Sequence, residues 1–365
     1  MPVGNVSVVG RQRARYGPVP AFAPTNNAAI SAICHLTSAK TVRAELPVYL
    51  AEEIFPQLAP PPYAAIEVAA LSEHKPVFLF REISHGVEVV GKLFVQDGVT
   101  SEEAWKAAEK EYFNLRLLEN RYDMGNGVCR VASPLGRNRE LGALLVTRKA
   151  PGTLLDHYIR EAAWAKASEE LIDKLSLLAR FFARLHENSR GKRPVSPALM
   201  HSYLRSLTDA LSADILPAWE RSEVEYYRQA WADRIGSSGR DGEVIVHGDA
   251  TPTNFLFTDH GVTGIDLERM KWADRCWDLG FMAAELKHHF MWRSGDGWAA
   301  ERFIGHFLRE YAAGCGGRRM FEETTRRLPV YMALGLLRIA RNRWLGGPYR
   351  RDLVREAKQC LQYGL

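Results

Sequence analysis

Three runs of Val, Ile, Phe and Leu, from Ala65 to Leu71, Val77 to Ile83 and Val87 to Val95, follow one another with turn residues between them. The connecting segments, Ser72 to Pro76 and Ser84 to Gly86, are short enough for hairpins, so the pattern predicts an antiparallel meander. In the third run a period of two puts Val90, Lys92 and Phe94 on one face, which sets a lone cation in an apolar row. A Lys so placed snorkels or pairs. A helix follows, its start marked by Thr100 with Glu103 three residues later, the spacing of a capping box. Trp105, Ala108, Tyr112, Leu115 and Leu118 recur at helical spacing, and Glu111 falls inside their stripe. Lys92 and Glu111 are each costly alone and reasonable as a pair.

Farther on, Leu141 to Thr147 reads as a short apolar strand, closed by Ala150-Pro151-Gly152 at a connection between lobes. From Leu154 the period is mostly helical, with a long amphipathic stretch from Ala167 to His186. Short β-like runs return at Val244 to Val246, Phe255 to Phe257 and Val262 to Leu267, and helix dominates from Asp278 onward. The fold class this predicts is α+β, a small antiparallel β lobe followed by a larger helical lobe. Residues 1–62, rich in Ala and Pro with little period outside Leu46 to Leu58, are set apart as an N-terminal extension. Residues 63–149 form the small lobe and 150–365 the helical one.

Composition narrows the class. A chain of 365 residues has room for two domains, and 46% hydrophobic with 25% charged residues excludes a disordered or fibrous chain. No window approaches 18 consecutive apolar residues, and Arg11, Arg13 and Arg15 stand where a secretory signal would be apolar, so the expected location is cytoplasmic. Five cysteines with no CxxC spacing point to reduced thiols. The net charge of +5 is unevenly placed: residues 269–365 hold eighteen Lys and Arg against ten Asp and Glu. A basic segment concentrates anionic partners, whether a phosphorylated metabolite or a lipid surface, and peripheral membrane contact is compatible with it. A solvated basic surface accounts for it equally well. Nucleic acid is not an expected partner.

The densest polar cluster is His247-Gly248-Asp249-Ala250-Thr251-Pro252-Thr253-Asn254, wedged between two apolar runs, with Ile265-Asp266-Leu267-Glu268 after the second. An Asp on a loop, an Asn five positions later and an Asp at the end of the next β run can converge on one point. Two oxygen ligands and one free carboxylate suit Mg²⁺-assisted phosphoryl transfer, because hard Mg²⁺ takes carboxylate and amide oxygens while the other Asp orients an acceptor hydroxyl. The competing reading of Asp249 and Asn254 alone is an Asx turn between strands.

HGD-x4-N, followed by Ile265-Asp266-Leu267-Glu268 and then by Trp277-Asp278-Leu279, resembles the motifs of the aminoglycoside phosphotransferase and choline kinase-like family, a branch of the protein-kinase-like fold. The resemblance spans about residues 64 to 345. It implies Asp249 as catalytic base, Asn254 and Asp266 as Mg²⁺ ligands, Asp278 as the brace of the catalytic loop and His247 as its support. It also implies that Lys92, held by Glu111, binds the nucleotide phosphates. ATP is the expected nucleotide, bound in part at Ser72, Thr147 and Lys149, and GTP stays open. The turn Ser72-Glu73-His74-Lys75-Pro76 has no Gly, Arg148 stands where many members carry Glu, and Arg269 to Arg275 is more basic than the family pattern.

The expected partner is a small-molecule hydroxyl acceptor. A polycationic aminoglycoside suits the basic C-terminal segments less well than a neutral or anionic compound such as a sugar, sugar phosphate or lipid headgroup, with His288, His289 and Trp292 as candidate pocket residues. An amino alcohol also falls within the family's range. Competing readings are a lipopolysaccharide-core or other glycolipid sugar kinase, suggested by Ile265-Asp266-Leu267-Glu268-Arg269, and, from another class, a nucleotide-binding pseudokinase or scaffold.

Overall fold

The three alternating runs become consecutive antiparallel strands, because side chains that alternate in polarity bury one face of a pleated ribbon and leave the other open. In the computed structural model, which describes residues 21–22, 27–36, 44–72, 75–165, 168–237, 241–363 and 365, the chain divides into two compact units. The first comprises Met1–Arg116 and Ala132–Lys149, the second Leu117–Val131 and Ala150–Leu365.

The sheet of the first unit contains β1 (Ala21–Phe22), β2 (Ala65–Ala70), β3 (Val77–Glu82), β4 (Val87–Leu93), β6 (Pro134–Asn138) and β7 (Leu144–Arg148), in the order β1-β2-β3-β4-β7-β6. Only the β1–β2 pairing is parallel. Among the described residues α1 (Asn27–Leu36) and α2 (Leu46–Tyr49) precede β2, the latter continued by a π turn at Leu50–Ile54 and a 3-10 turn at Phe55–Gln57. Ile30, Ile33, Leu46, Leu50, Ile54 and Phe55 are buried in one cluster with Ile66, Phe80 and Val89 of the sheet. The described part of the stretch set apart as an extension is thus built into this core, while residues 1–20 lie outside the described residues. α1 spans only ten residues, fewer than three turns, too few for a repeated stripe to stand out.

Helix α3 (Ser101–Arg121) starts where the capping box places it. Thr100 N–H donates to Glu103 Oε2 at 3.0 Å and Glu103 N–H donates to Thr100 Oγ1 at 3.2 Å, so two donors at the helix entry are satisfied reciprocally. Its buried stripe is Ala104, Ala108, Glu111, Leu115 and Leu118, an i, i+4, i+7 pattern that carries a carboxylate at its centre.

The second unit holds a four-stranded sheet, β5 (Cys129–Val131), β11 (Val262–Gly264), β10 (Phe255–Phe257) and β8 (Thr153–Leu154) in that order, and a pair, β9 (Val244–Val246) with β12 (Lys271–Ala273). Strands of two or three residues are too short for a period to reveal, which is why β5, β8 and β12 are not evident in the sequence, and the five residues of β6 show no alternation of burial. Helices make up the rest: α4 (Leu155–Ala165), α5 (Ser168–Asn188), α6 (Ala198–Leu211), α7 (Ala218–Ser237), α8 (Cys276–Ser294), α9 (Glu301–Cys315), α10 (Arg318–Ala340) and α11 (Gly347–Tyr363). α8 and α10 approach closely because small residues face one another. A Cβ on Gly335 would lie 2.5 Å from Ala284 Cβ, and one on Gly280 would lie 2.4 Å from Tyr331 Cβ. No helix among the described residues is long and apolar enough to cross a membrane.

Candidate active site

In the first unit Lys92 Nζ donates to Glu111 Oε2 at 2.8 Å, with the side chains 18% and 4% exposed. The fully apolar face of β4 is the other one, Val89, Gly91 and Leu93, so Lys92 occupies the half-buried face and lays its ammonium 4.6 Å from the Phe94 ring centroid. This resolves the apparent conflict of a cation in an apolar row: the stem is buried and the head is paired. Thr147 pairs with Val90 and Leu145 with Lys92 across the β4–β7 ladder, which puts Thr147 on the same sheet face as Lys92. Lys149 instead donates to Glu88 at 2.6 Å, at the far end of that ladder. Ser72 Oγ accepts the Lys75 N–H at 3.0 Å and so braces its own turn; Glu73 and His74 lie outside the described residues.

The pair predicts its own test. Lys92→Met leaves the Glu111 carboxylate buried without its cation, and breaking such pairs costs about 3–5 kcal/mol when burial is complete. With Lys92 one-fifth exposed, a loss of roughly 2–3 kcal/mol is expected, partly restored in Lys92→Met/Glu111→Gln. Equal unfolding midpoints for Lys92→Met and the unaltered protein would show that the pair is energetically idle.

In the second unit the loop from His247 to Asn254 is held almost entirely through its backbone. The fully buried Asp278, in the first turn of α8, accepts the His247 N–H on Oδ2 at 2.7 Å and the Gly248 N–H on Oδ1 at 3.0 Å. His247 Nε2–H donates to the Ile265 carbonyl at 2.9 Å, leaving Nδ1 to accept the Asp249 N–H at 3.4 Å. Gly248 has φ 81°, and a Cβ there would stand 2.2 Å from the Arg269 carbonyl oxygen, so only glycine fits. Asn254 Nδ2–H donates to the Asp249 carbonyl at 2.9 Å, and Ile265 N–H donates to the Asn254 carbonyl at 3.0 Å. The loop is thereby stitched to the segment that carries Asp266.

Asp266 itself is left-handed at φ 63°, a conformation non-glycine residues rarely adopt and which gathers at functional sites. Carboxylate oxygens of Asp266 and Glu268 come within 4.8 Å of each other. Asn254 commits its amide N–H₂ to the loop, and its amide oxygen is the atom it can offer a cation. An amide oxygen and carboxylate oxygens are the donor set that Mg²⁺ prefers, and the residues present fit that ion. Glu268 is the member of this set that the motif reading left without a role.

Behind Asp278 lies a buried chain that sequence reasoning missed. His186, at the end of α5, places Nε2 3.3 Å from Asp278 Oδ2 and Nδ1 3.0 Å from the Tyr311 hydroxyl, which accepts from Arg275 Nη1 at 2.9 Å. Burial pushes the His186 imidazole below its usual range, so it is neutral, with the proton on the nitrogen facing the carboxylate. Arg275 also donates to Asp241 and to Glu187. The one sequence signal for this chain is that a His and a Tyr fall at apolar positions of α5 and α9.

The side chain of Asp249 meets α10. Arg338 Nη2 donates to Asp249 Oδ1 at 2.5 Å, while Arg269 Nε lies 3.9 Å from Oδ2. Glu285 on α8 is raised to about 7, chiefly by burial, against the pull of Arg338. Asp156 of α4 is salt-bridged by Arg293 at 3.2 Å and Arg160 at 3.4 Å. His288 is not a free pocket residue: its Nδ1 is 2.7 Å from the Tyr349 hydroxyl, and burial lowers it to about 3. His289 is lowered to about 4, again by burial first, and lies 3.6 Å from Asp156. Trp292 packs edge-on against Tyr349 and is half exposed.

The sequence profile of the Phosphotransferase enzyme family matches residues 101–321. The chain belongs to that family. Among solved structures, this phosphotransferase is similar to an ADP-bound aminoglycoside phosphotransferase, with TM-score 0.53 and 15% identity over 88% of this chain and 99% of that one. It is similar also to a Plasmodium vivax ethanolamine kinase, with TM-score 0.52 and 13% identity over 82% of this chain and 81% of that one. A choline/ethanolamine kinase family protein from Mesorhizobium loti gives TM-score 0.51 and 15% identity over 81% and 92% of the two chains. At such identities the likeness is one of fold, the two-lobed α+β architecture of protein-kinase-like enzymes. No curated protein matches in sequence.

Proposed function

We propose that this phosphotransferase moves the γ-phosphoryl group of ATP to a hydroxyl of a small molecule in a Mg²⁺-dependent reaction. The observation that carries the reading is the loop from His247 to Asn254: its backbone is held by Asp278 and Asn254, so the shape of the loop does not depend on the Asp249 carboxylate. In this reading Asp249 orients the acceptor hydroxyl and takes its proton, Asn254 and Asp266 hold Mg²⁺, and Lys92, fixed by Glu111, binds the α- and β-phosphates. Mg²⁺, when bound, neutralises charge on the phosphate oxygens. Phosphoryl transfer asks little covalent chemistry of a protein, so positioning and charge neutralisation are the work these residues do. Thr147, on the Lys92 face of the sheet, belongs to the nucleotide side. Ser72 and Lys149, committed to local bonds, contribute at most indirectly.

The acids near Asp249 bear on the acceptor. Asp156 is compensated by Arg293 and Arg160, and Glu285 by Arg338, so this wall has little uncompensated negative charge for a polycation. That supports a neutral or anionic acceptor, a sugar, sugar phosphate or comparable alcohol, over an aminoglycoside. The test is a coupled ADP-release screen across sugars, sugar phosphates, amino alcohols and aminoglycosides. Turnover with a hydroxyl compound, lost in EDTA and restored by Mg²⁺, is expected. A protein that binds nucleotide indifferently to Mg²⁺ and releases no ADP with any acceptor or with water would be a scaffold.

A further inference from the structure

A base that must meet an acceptor hydroxyl in one orientation needs its carboxylate held against rotation, and the backbone bonds of the loop cannot do this. They fix the Asp249 main chain and leave the side-chain torsions untouched. What fixes the carboxylate comes from a helix nearly ninety residues away in sequence. Arg338 lies one turn beyond Gly335, the residue whose missing side chain lets α10 approach Ala284 of α8. Its guanidinium lies 5.5 Å from the Phe281 ring centroid and gives Nη2 to Asp249 Oδ1 at 2.5 Å.

We propose that Arg338 is a positioning residue for phosphoryl transfer: by occupying Oδ1 of Asp249 it leaves Oδ2 as the oxygen that receives the acceptor hydroxyl. The inference rests on reading Asp249 as the group that engages the acceptor. Burial separates this ion pair from ornament. Arg338 and Asp249 are 17% and 12% exposed, whereas the surface pair Arg318–Glu322 is 93% and 50% exposed. Pairs of the second kind contribute little and fluctuate, while a desolvated, short, charge-assisted bond holds its geometry. The other cation near the carboxylate, Arg269, is half exposed and 3.9 Å from Oδ2, too far for a hydrogen bond, so it does not block that oxygen. Arg338 is the one charged residue between Arg327 and Arg341, set within the apolar run Leu328 to Ala340. A guanidinium placed in such a run needs a partner on the other side of the helix contact, and Asp249 is that partner.

The test compares the unaltered full-length protein with Arg338→Ala and Arg338→Lys in steady-state ADP release from Mg-ATP, using the best acceptor of the screen and water as acceptors. Nucleotide affinity and the unfolding midpoint are measured on the same samples. Loss of alignment at the reacting atoms costs about a hundredfold in rate. Arg338→Ala is therefore expected to lower kcat by about that factor, with KM for ATP within about threefold, and added guanidinium chloride at sub-denaturing concentration is expected to restore part of the rate. Arg338→Lys keeps the charge but not the planar fork, and is expected to lose roughly tenfold. A kcat for Arg338→Ala within about threefold of the unaltered protein overturns the proposal, as does a folded Arg338→Ala that guanidinium does not rescue. Should Arg338→Ala fail to fold, a kcat for Arg338→Lys within about twofold overturns it equally. An unaltered protein that releases no ADP with any acceptor or with water overturns the phosphotransferase reading and this proposal with it.

Discussion

Asp249→Asn is expected to lower phosphoryl transfer by about 10²–10⁴-fold while nucleotide affinity stays within a few-fold, because on the proposed reading the substitution removes the proton acceptor and leaves the nucleotide-binding groups in place. The loop does not depend on that carboxylate: Thr251 N–H and Asn254 Nδ2–H both bond the Asp249 main-chain carbonyl, and the hydrogen bond to its side chain comes from Arg338. An Asn side chain keeps the shape and can still accept from Arg338 but leaves that half-buried guanidinium without a counter-charge, so a stability loss of about 1–3 kcal/mol is expected, with the fold retained. The decisive measurement is turnover beside nucleotide binding on one preparation. Near-normal phosphoryl transfer by Asp249→Asn would remove Asp249 from the role of base and shift the search to another oxygen of the same loop.

How far the sequence already reveals this molecule depends on where each group's partner lies. The meander, the capping box at Thr100 and the helical second half are legible because their signals are local: alternation of two, spacing of three and four, turn residues between. Lys92 and Glu111 are legible too, since a charge in an apolar row demands a partner, and each row contains one. By that criterion Arg338 is equally conspicuous in the run Leu328 to Ala340. What hides it is that nothing local names its partner, which sits 89 residues away on the loop from His247 to Asn254. His186, Tyr311 and Arg275 are hidden for a similar reason, for their hydrogen bonds run between α5, α9 and the start of α8. The short strands leave no period, and the described part of residues 1–62 gave too weak a pattern to show that it completes the core of the first unit.

Asp278→Ala is expected to cost stability and activity together, which separates it from Asp249→Asn. Its carboxylate is fully buried and accepts three donors, the N–H groups of His247 and Gly248 and the His186 Nε2–H. Removing it leaves two buried backbone donors and the buried His186 imidazole without their acceptor. At about 1–3 kcal/mol for each of the three unsatisfied buried donors, the loss is roughly 3–9 kcal/mol, a large part of the 5–15 kcal/mol that holds an ordinary domain together. Asp278→Asn should be intermediate, since an amide can accept from one N–H but must turn its own N–H₂ toward the other. The change is local before it is global: with its acceptor gone, the conformationally free Gly248 is no longer anchored at its φ of 81°, and the loop relaxes away from the geometry that presents Asp249. Amide hydrogen exchange reads this directly. The His247 and Gly248 amides are expected to be among the protected ones in the unaltered protein and to exchange rapidly in Asp278→Ala at temperatures where the rest of the fold survives. Protection retained at both amides, with an unchanged unfolding midpoint, would mean that the loop is held by something other than Asp278.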